Sequence, residues 1–240
     1  MRASRCRLHL FQKGIHLAPN RIAPIAKQAV EFWPKVVYTG HMDFLTNDIT
    51  FNLLSIAVGL GLSAACGFRV FLPFAALSLA AISGYLPLTP QFAWLGSWQA
   101  LLILSTATVL EIGAYYIPWL DNLLDTIATP AAVLAGALVS VAVLVDLPPE
   151  IKWGVVAIAG GTAGVVQTGS VLTRALSSAF TGGLGNVVVA SGELVGAALM
   201  SLLAIVAPFA ALLLVIILLI TIANRLLRRR RKVGESALPS

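Results

Sequence analysis

The sequence predicts an all-α polytopic membrane protein, a bundle of transmembrane helices, and its composition is the first observation behind that prediction. Apolar residues make up 58% of the 240 residues and charged residues 11%, whereas about a quarter of a soluble domain is charged. The second observation is that the apolar runs after residue 51 are long and continuous. About 20 such residues cross a hydrocarbon core of about 30 Å as a helix, and the lack of alternation excludes the strands of a membrane barrel.

Six apolar runs are long enough to be transmembrane helices. They lie at 52–82, 98–118, 129–147, 152–179, 185–206 and 208–227. The basic run RLLRRRRK at 225–232 follows the last of them and, by the positive-inside rule, places the C-terminus in the cytoplasm. Six spans place the N-terminus there too, so the loop 83–99 faces outward and the segment 119–130 faces inward. The expected location is the inner (plasma) membrane of the cell.

The net charge of +6 belongs to the two ends of the chain. Residues 1–41 hold seven basic residues and one acid, and residues 225–240 hold six and one, whereas residues 42–224 hold three basic residues and eight acids. Basic residues directly after an apolar helix are explained by the anionic headgroups of lipids. We therefore expect the lipid bilayer to be the partner of these charges, and we expect no nucleic-acid binding.

The first 41 residues differ from everything after them. They are basic, contain a single acid and lack the apolar core and small-residue cleavage site of a secretory signal. An organelle transit peptide would be richer in serine, so we expect a basic disordered extension or a mis-assigned start, with translation beginning at Met42. The predicted organisation is an extension at 1–41, a first three-helix unit at 42–150, a second at 151–227 and a basic cytoplasmic tail at 228–240.

The two three-helix units resemble each other in order. The matched positions are Gly59 with Gly161, Glu111 with Glu193, and Pro130 with Pro208. A unit with an odd number of helices enters the membrane in the opposite orientation when it is repeated, as in many secondary transporters. We therefore predict two inverted repeats. The alternative is that helices rich in glycine and alanine resemble each other because small residues serve close packing.

Four charged residues fall inside the predicted spans, where each charge costs about 2.5–3.5 kcal/mol. They are Arg69, Glu111, Arg174 and Glu193. Each predicted repeat supplies an arginine from its first helix and a glutamate from its second. The functional hypothesis is a polar centre that lines a path for a small solute or ion. The structural alternative is two interhelical ion pairs that only fix the packing.

Helix-breaking residues lie in the first span of each unit. Pro73 follows Arg69 by four residues, and the pair Gly160 and Gly161 interrupts the fourth span. We therefore predict that both helices are discontinuous, which is tolerated at membrane depth where the backbone is buried in protein or lines a cavity. The pattern for close helix contact occurs at Gly160-x-x-x-Gly164 and Gly192-x-x-x-Gly196.

The segment PWLDNLLDTIATP at 118–130 predicts a short amphipathic helix at the inner interface. Its apolar residues recur at helical spacing, and Asp121, Asn122 and Asp125 form its polar side. The two aspartates are four residues apart and repel each other slightly, which invites a cation or an arginine of a partner. Two carboxylates are too few for a dedicated cation cage, so we predict no metal site, and no pattern predicts a cofactor.

Three stretches of the chain resemble a known family. GFRVFLP at 67–73, AYYIPWLDNLLDTIATP at 114–130 and the glycine-rich stretch 160–186 look like the signatures of an uncharacterised family of small bacterial multipass membrane proteins. This family is frequent in cyanobacteria and is classed as a domain of unknown function. The resemblance covers nearly all of residues 53–207 and implies a multipass membrane fold with a start just before the first helix. It implies no activity.

The motifs of the chain do not indicate an enzyme. The predicted spans contain no histidine, and the sequence has no nucleophile elbow, zinc-protease or P-loop pattern. The expected function is therefore that of a transporter or channel for a small solute or ion. The alternatives are a non-transporting scaffold or accessory protein, which could form homo-oligomers through its small-residue faces, and a membrane enzyme acting on lipid.

Overall fold

The computed structural model describes residues 44–145 and 147–236, so the predicted extension at 1–41 lies outside the described residues. The described residues form α-helices, one 3₁₀ helix and loops, with no strand among them. The α-helices are α1 (Phe44–Cys66), α2 (Phe71–Ile82), α3 (Trp98–Tyr115), α4 (Pro118–Val143), α5 (Pro149–Thr181), α6 (Asn186–Val206) and α7 (Pro208–Ser236). The 3₁₀ helix, Pro90–Gly96, lies between α2 and α3. The predicted all-α class is confirmed.

Four of the described helices contain apolar stretches long enough to cross a membrane. They are Trp98–Tyr115, Thr126–Val143, Pro149–Thr181 and Asn186–Val206. Shorter apolar stretches lie at Thr50–Cys66, Phe71–Ile82 and Pro208–Ile222. These lengths and compositions indicate a protein of the lipid bilayer, although they do not reproduce the six predicted spans one for one.

The first predicted span, 52–82, is interrupted at 67–70, where α1 has ended and α2 has not yet begun. Pro73 favours the interruption. It has no N–H group, and in a continuous helix its ring would clash with the carbonyl of Arg69, four residues earlier. In the first turn of a new helix the same residue is tolerated. The predicted discontinuity of this span is therefore confirmed.

The interruption reverses the direction of the chain, so that α1 and α2 form a helical hairpin. Gly59 of α1 packs against Ser140 and Val143 near the end of α4. After α2 the chain lies again beside the C-terminal end of α4, as shown by the Thr89 N–H, which donates to the Ala142 carbonyl at 2.9 Å. The span predicted to cross the membrane once therefore enters the bundle and comes back. Gly61 of α1 faces Ala211 near the start of α7, and Ala64 clusters with Val215, so α1 and α7 run in the same direction. The N-terminal end of α1 and the C-terminal end of α7 therefore lie at opposite ends of the bundle, whereas six full spans would place both ends on the same side.

The fourth predicted span is not interrupted. The structure has one continuous helix, α5, over Pro149–Thr181, and the pair Gly160 and Gly161 lies inside it. Glycine lowers helix stability by about 1 kcal/mol but keeps its N–H group, so it does not break a packed helix as proline can. The predicted discontinuity of this span is wrong. Similarly, the segment 118–130 is the first half of α4 and not a separate short helix.

Small residues bring α1 and α5 into close contact. The Ser63 hydroxyl of α1 donates to the Ala159 carbonyl of α5. Just beyond α1, a Cβ atom added to Gly67 would lie 2.5 Å from Cβ of Val166 and 2.6 Å from the Ala163 carbonyl oxygen. Later residues of α1 therefore meet later residues of α5, which shows that the two helices run in the same direction.

Close packing of α4 on α5 also depends on glycine. A Cβ atom added to Gly160 would lie 3.0 Å from the Val133 carbonyl oxygen, and one added to Gly164 would lie 2.7 Å from the Val133 side chain. The close contact predicted for Gly160-x-x-x-Gly164 is confirmed. The second glycine pattern differs, because an added Cβ at Gly192 meets nothing within 4 Å and one at Gly196 only touches Phe68.

Helix directions bear on the predicted inverted repeat. The end of α3 reaches the 67–70 turn through Glu111, and the start of α6 reaches Arg69 through Ala190, so α3 runs toward this turn and α6 runs away from it. An inverted repeat requires such opposite directions for matched helices. However, α1 and α5 run in the same direction. The repeat stays a prediction, and its first helix pair disagrees with the structure when α1 is taken as the match of α5.

Candidate functional site

The four charged residues predicted within the spans lie together, around one tyrosine. Arg69 lies on the turn between α1 and α2, Glu111 and Tyr115 lie on the last turns of α3, and α5 and α6 contribute Arg174 and Glu193. None of the five is more than 9% exposed. We call these five residues the charge cluster. The sequence identified the charges, and the fold brings them together from four places in the chain.

Arg174 and Glu193 form the most complete ion pair of the charge cluster. Nε of Arg174 donates to Oε1 of Glu193 at 3.0 Å, and Nη2 donates to Oε2, so the contact is a two-point fork. The Ser170 hydroxyl, one turn earlier on α5, also donates to Oε1 of Glu193. Such charge-assisted bidentate contacts are among the strongest hydrogen bonds in proteins, and they connect α5 to α6.

Glu111 has a different role from the ion pair expected of it. Its carboxylate accepts hydrogen bonds from the backbone N–H groups of Val70 at 2.8 Å and Phe71 at 3.1 Å, at the start of α2. The first N–H groups of a helix have no partner within the helix, and they carry the positive end of its dipole. The N-cap residue Val70 offers no side-chain acceptor. Glu111, 40 residues away in the sequence, therefore caps α2.

The ring of Tyr115 contacts both arginines. The guanidinium carbon of Arg69 lies 3.9 Å from the centre of the ring, and that of Arg174 lies 4.1 Å from it. A cation over an aromatic face is stabilised by about 2 kcal/mol or more when it is desolvated. The charge pattern of the sequence did not identify this residue as a member of the site. The available signal was its spacing, because a residue four positions after Glu111 lies on the same face of the helix.

Arg69 is the least satisfied member of the charge cluster. Its Nη2 donates to the Ala190 carbonyl at 2.8 Å and lies 3.7 Å from Oε2 of Glu193. Its Nε and Nη1 atoms are buried and have no hydrogen-bond partner among the described residues. A guanidinium has five N–H hydrogens, and Nε and Nη1 carry three of them. A buried donor without a partner is costly.

A second unsatisfied donor lies on the cluster-facing side of α5. Gln167 is 2% exposed, and its Nε2 atom has no hydrogen-bond partner among the described residues. Gln167 is one turn before Ser170 and two turns before Arg174, so all three side chains share one face of α5. The face that carries the ion pair therefore also carries an N–H donor group without a partner in the described part of the chain.

The remaining predicted site residues are placed only by their backbone. Asp121, Asn122 and Asp125 lie in the first half of α4, and their side chains fall outside what the structure describes. Among the side chains of the described part, no group of three or more His, Cys, Asp or Glu residues is arranged to hold a metal ion. The interfacial acidic cluster stays a prediction.

Comparison with known proteins identifies a family. A family described as "Domain of unknown function (DUF4126)" matches residues 56–229, a range that includes every residue of the charge cluster. No curated protein and no solved structure shows detectable similarity to the chain. Because the match extends over well more than half of the sequence and includes all three stretches on which the resemblance rested, the chain belongs to the DUF4126 family of proteins with a domain of unknown function.

Proposed function

We propose that the protein is a transporter or channel for a small solute or ion, with the charge cluster as its polar centre. The observation that favours this most is Arg69, a guanidinium that is 2% exposed and has two nitrogen atoms without a partner among the described residues. A purely structural arginine would be expected to satisfy its donors within the protein. A ligand that passes through the cluster, or a water molecule bound there, would accept hydrogen bonds from these N–H donors instead.

The interrupted hairpin supports the same proposal. Non-helical backbone within the membrane is tolerated where it is buried in protein or lines a cavity, and transporter sites are commonly built at such interrupted helices. Here the interruption at 67–70 contains Arg69, and the N–H groups at the start of α2 bind Glu111. The place where the backbone is exceptional is therefore also the place where the intramembrane charges meet.

We also propose an orientation. The basic run at 225–232 belongs to the end of α7, so the positive-inside rule places this end in the cytoplasm, and the bilayer is the inner (plasma) membrane of the cell. The loop between α5 and α6 lies on the same side as this end. The loops before α3 and before α5 then face the opposite side, where the exposed Trp98 and Trp153 suit a membrane interface.

The test of this proposal is a flux assay in proteoliposomes that hold the purified full chain. Cations, protons and small anions are screened with the wild-type protein and with the double variant Glu111→Gln/Glu193→Gln. We expect saturable flux of one ion class, reduced at least tenfold in the double variant. The matched control is Glu150→Gln, because Glu150 is exposed in the first turn of α5, and its flux should equal that of the wild type.

A scaffold or accessory protein is the second candidate, and the complete contact among Arg174, Glu193 and Ser170 favours it. If the charge cluster only fixes the packing, the double variant will unfold more easily while no ion class shows flux above that of empty liposomes. Homo-oligomers formed through exposed helix faces would accompany this function. Flux that depends on the cluster would exclude the scaffold as the sole function.

A further inference from the structure

We propose that the start of α2, together with Arg69, is a binding site for a small monovalent oxyanion, and that the Glu111 carboxylate occupies this site as an anion tethered to the protein. This inference rests on the proposed transport function and names the class of substrate. The occupant is a planar group of the size of nitrate, bicarbonate or formate, each of which presents oxygen atoms as a carboxylate does.

The backbone of the site already binds a carboxylate. Both oxygen atoms of Glu111 accept hydrogen bonds from N–H groups at the start of a helix, at 2.8 Å to Val70 and 3.1 Å to Phe71. The N-terminus of a helix binds anions because its N–H groups and its dipole both favour negative charge. A carboxylate that approaches from a different helix uses these donors in the same way that a small oxyanion in solution would.

Arg69 gives the independent observation that a ligand belongs here. It directly precedes Val70, its side chain is buried, and it lies within electrostatic reach of the Glu111 carboxylate. Its Nε and Nη1 donors are not used by Glu111 or by any other described residue. An oxyanion at the start of α2 can therefore gain charge-assisted hydrogen bonds that the tethered carboxylate does not make.

The charges of the cluster favour a single negative charge on the ligand. Arg69 and Arg174 are balanced by Glu111 and Glu193, so the four side chains sum to zero. When Glu111 is made neutral, the remaining three carry one net positive charge, and one monovalent anion restores neutrality. A divalent anion would leave an excess negative charge in a buried site, which is costly.

The first experiment measures anion binding to the purified full chain in detergent. Thermal unfolding is followed in sodium nitrate against sodium gluconate at constant ionic strength, with gluconate as the bulky reference anion. In Glu111→Gln we expect a saturable stabilisation by nitrate with an apparent affinity at least tenfold tighter than in the wild type. Adding Arg69→Gln to that variant should remove the stabilisation. Equal nitrate dependence in all three proteins, or none in Glu111→Gln, would overturn the proposal.

A second variant distinguishes a loss of anion binding from a failure to fold. In Glu111→Ala the cap of α2 is missing, and formate supplied during purification should replace it and raise the yield of folded protein at least threefold over gluconate. Equal yields in the two salts would contradict the proposal. The matched control Glu150→Gln should show no difference between formate and gluconate.

The outcomes also separate this inference from the proposed function. Nitrate binding by Glu111→Gln without flux of any ion through the wild type would keep the anion site and exclude transport. Cluster-dependent flux of a cation, with no nitrate binding, would keep transport and exclude the anion site.

Discussion

Glu193 is the residue on which the stability of the charge cluster depends most. It accepts hydrogen bonds from Arg174 and Ser170, and its Oε2 lies 3.7 Å from Nη2 of Arg69. Both arginines are almost fully buried, so neither can turn to water when this carboxylate is lost. A buried charge without its partner is far more costly than a well-packed apolar side chain in the same place.

The first prediction concerns this pair. Glu193→Gln should lower the free energy of unfolding by about 3–5 kcal/mol, because it leaves two guanidiniums near a neutral amide. The measurement is chemical unfolding in detergent, followed by tryptophan fluorescence. The double variant Arg174→Met/Glu193→Leu removes one charge of each sign and should recover at least half of the loss. A single variant as stable as the wild type would show that Glu193 does not hold the arginines.

At the residue scale, the sequence predicted the members of the site better than their roles. The free-energy cost of a charge within an apolar segment was enough to predict four members of the site. They are Arg69, Glu111, Arg174 and Glu193. The partner of each charged side chain could not be predicted in the same way, because it depends on which helix ends approach each other in the fold. Glu111 caps a distant helix, and the ring of Tyr115 packs against two cations. Both roles arise from tertiary contacts between elements far apart in the chain.

At the element scale, the interrupted hairpin shows what distinguishes a helix break from a flexible helix sequence. Both the first and the fourth predicted spans contain several glycines, yet only the one with Pro73 is interrupted among the described helices. Glycine in a packed helix keeps its hydrogen bond and lets a neighbour approach, whereas proline removes the bond and clashes with the preceding turn. Proline favours a break without enforcing one, because Pro130 lies inside the continuous helix α4. Reading both residue types as equal signals produced one correct and one incorrect prediction.

The second prediction separates glycines that are needed for close contact from those that are not. Gly67→Ala should destabilise the protein by about 1–3 kcal/mol, because the added methyl group would overlap Val166 and the Ala163 carbonyl oxygen. The matched control is Gly161→Ala, whose methyl group would meet nothing within 4 Å and should raise stability by about 0.5–1 kcal/mol. Thermal unfolding in detergent gives both values. A destabilised Gly161→Ala with an unaffected Gly67→Ala would contradict the packing described above.

At the scale of the whole molecule, the hairpin bears on whether the N-terminal end of α1 and the C-terminal end of α7 share a side of the helix bundle. The sides that the sequence predicted for the loops after α2, α3, α4 and α5 stay predictions, because they depend on where the bilayer lies around the helices. The sequence could not predict the side of the N-terminal end of α1. Hydropathy measures the length of an apolar run, and a run of 31 residues at 52–82 does not reveal whether the chain crosses or returns.

The third prediction tests the hairpin by labelling. Single cysteines at Thr50, Gln91 and Leu184, in a chain with Cys6 and Cys66 replaced by alanine, are exposed to a membrane-impermeant thiol reagent in oriented vesicles. Positions 50 and 91 should react from the same side, and position 184 should react from the other side. A cysteine at Thr50 that shares the side of position 184 would show that 52–82 crosses the membrane once, as six full spans require.

We propose that the charge cluster is a path for a small oxyanion and not only a packing element. The decisive measurement is nitrate uptake into proteoliposomes that hold either the wild-type protein or Arg69→Gln. The two proteins are incorporated in equal amounts, and their thermal stability is measured in parallel. We expect saturable uptake by the wild type and an uptake rate at least tenfold lower in Arg69→Gln. Folded, correctly inserted Arg69→Gln that takes up nitrate as fast as the wild type, or wild type no faster than empty liposomes, would contradict it.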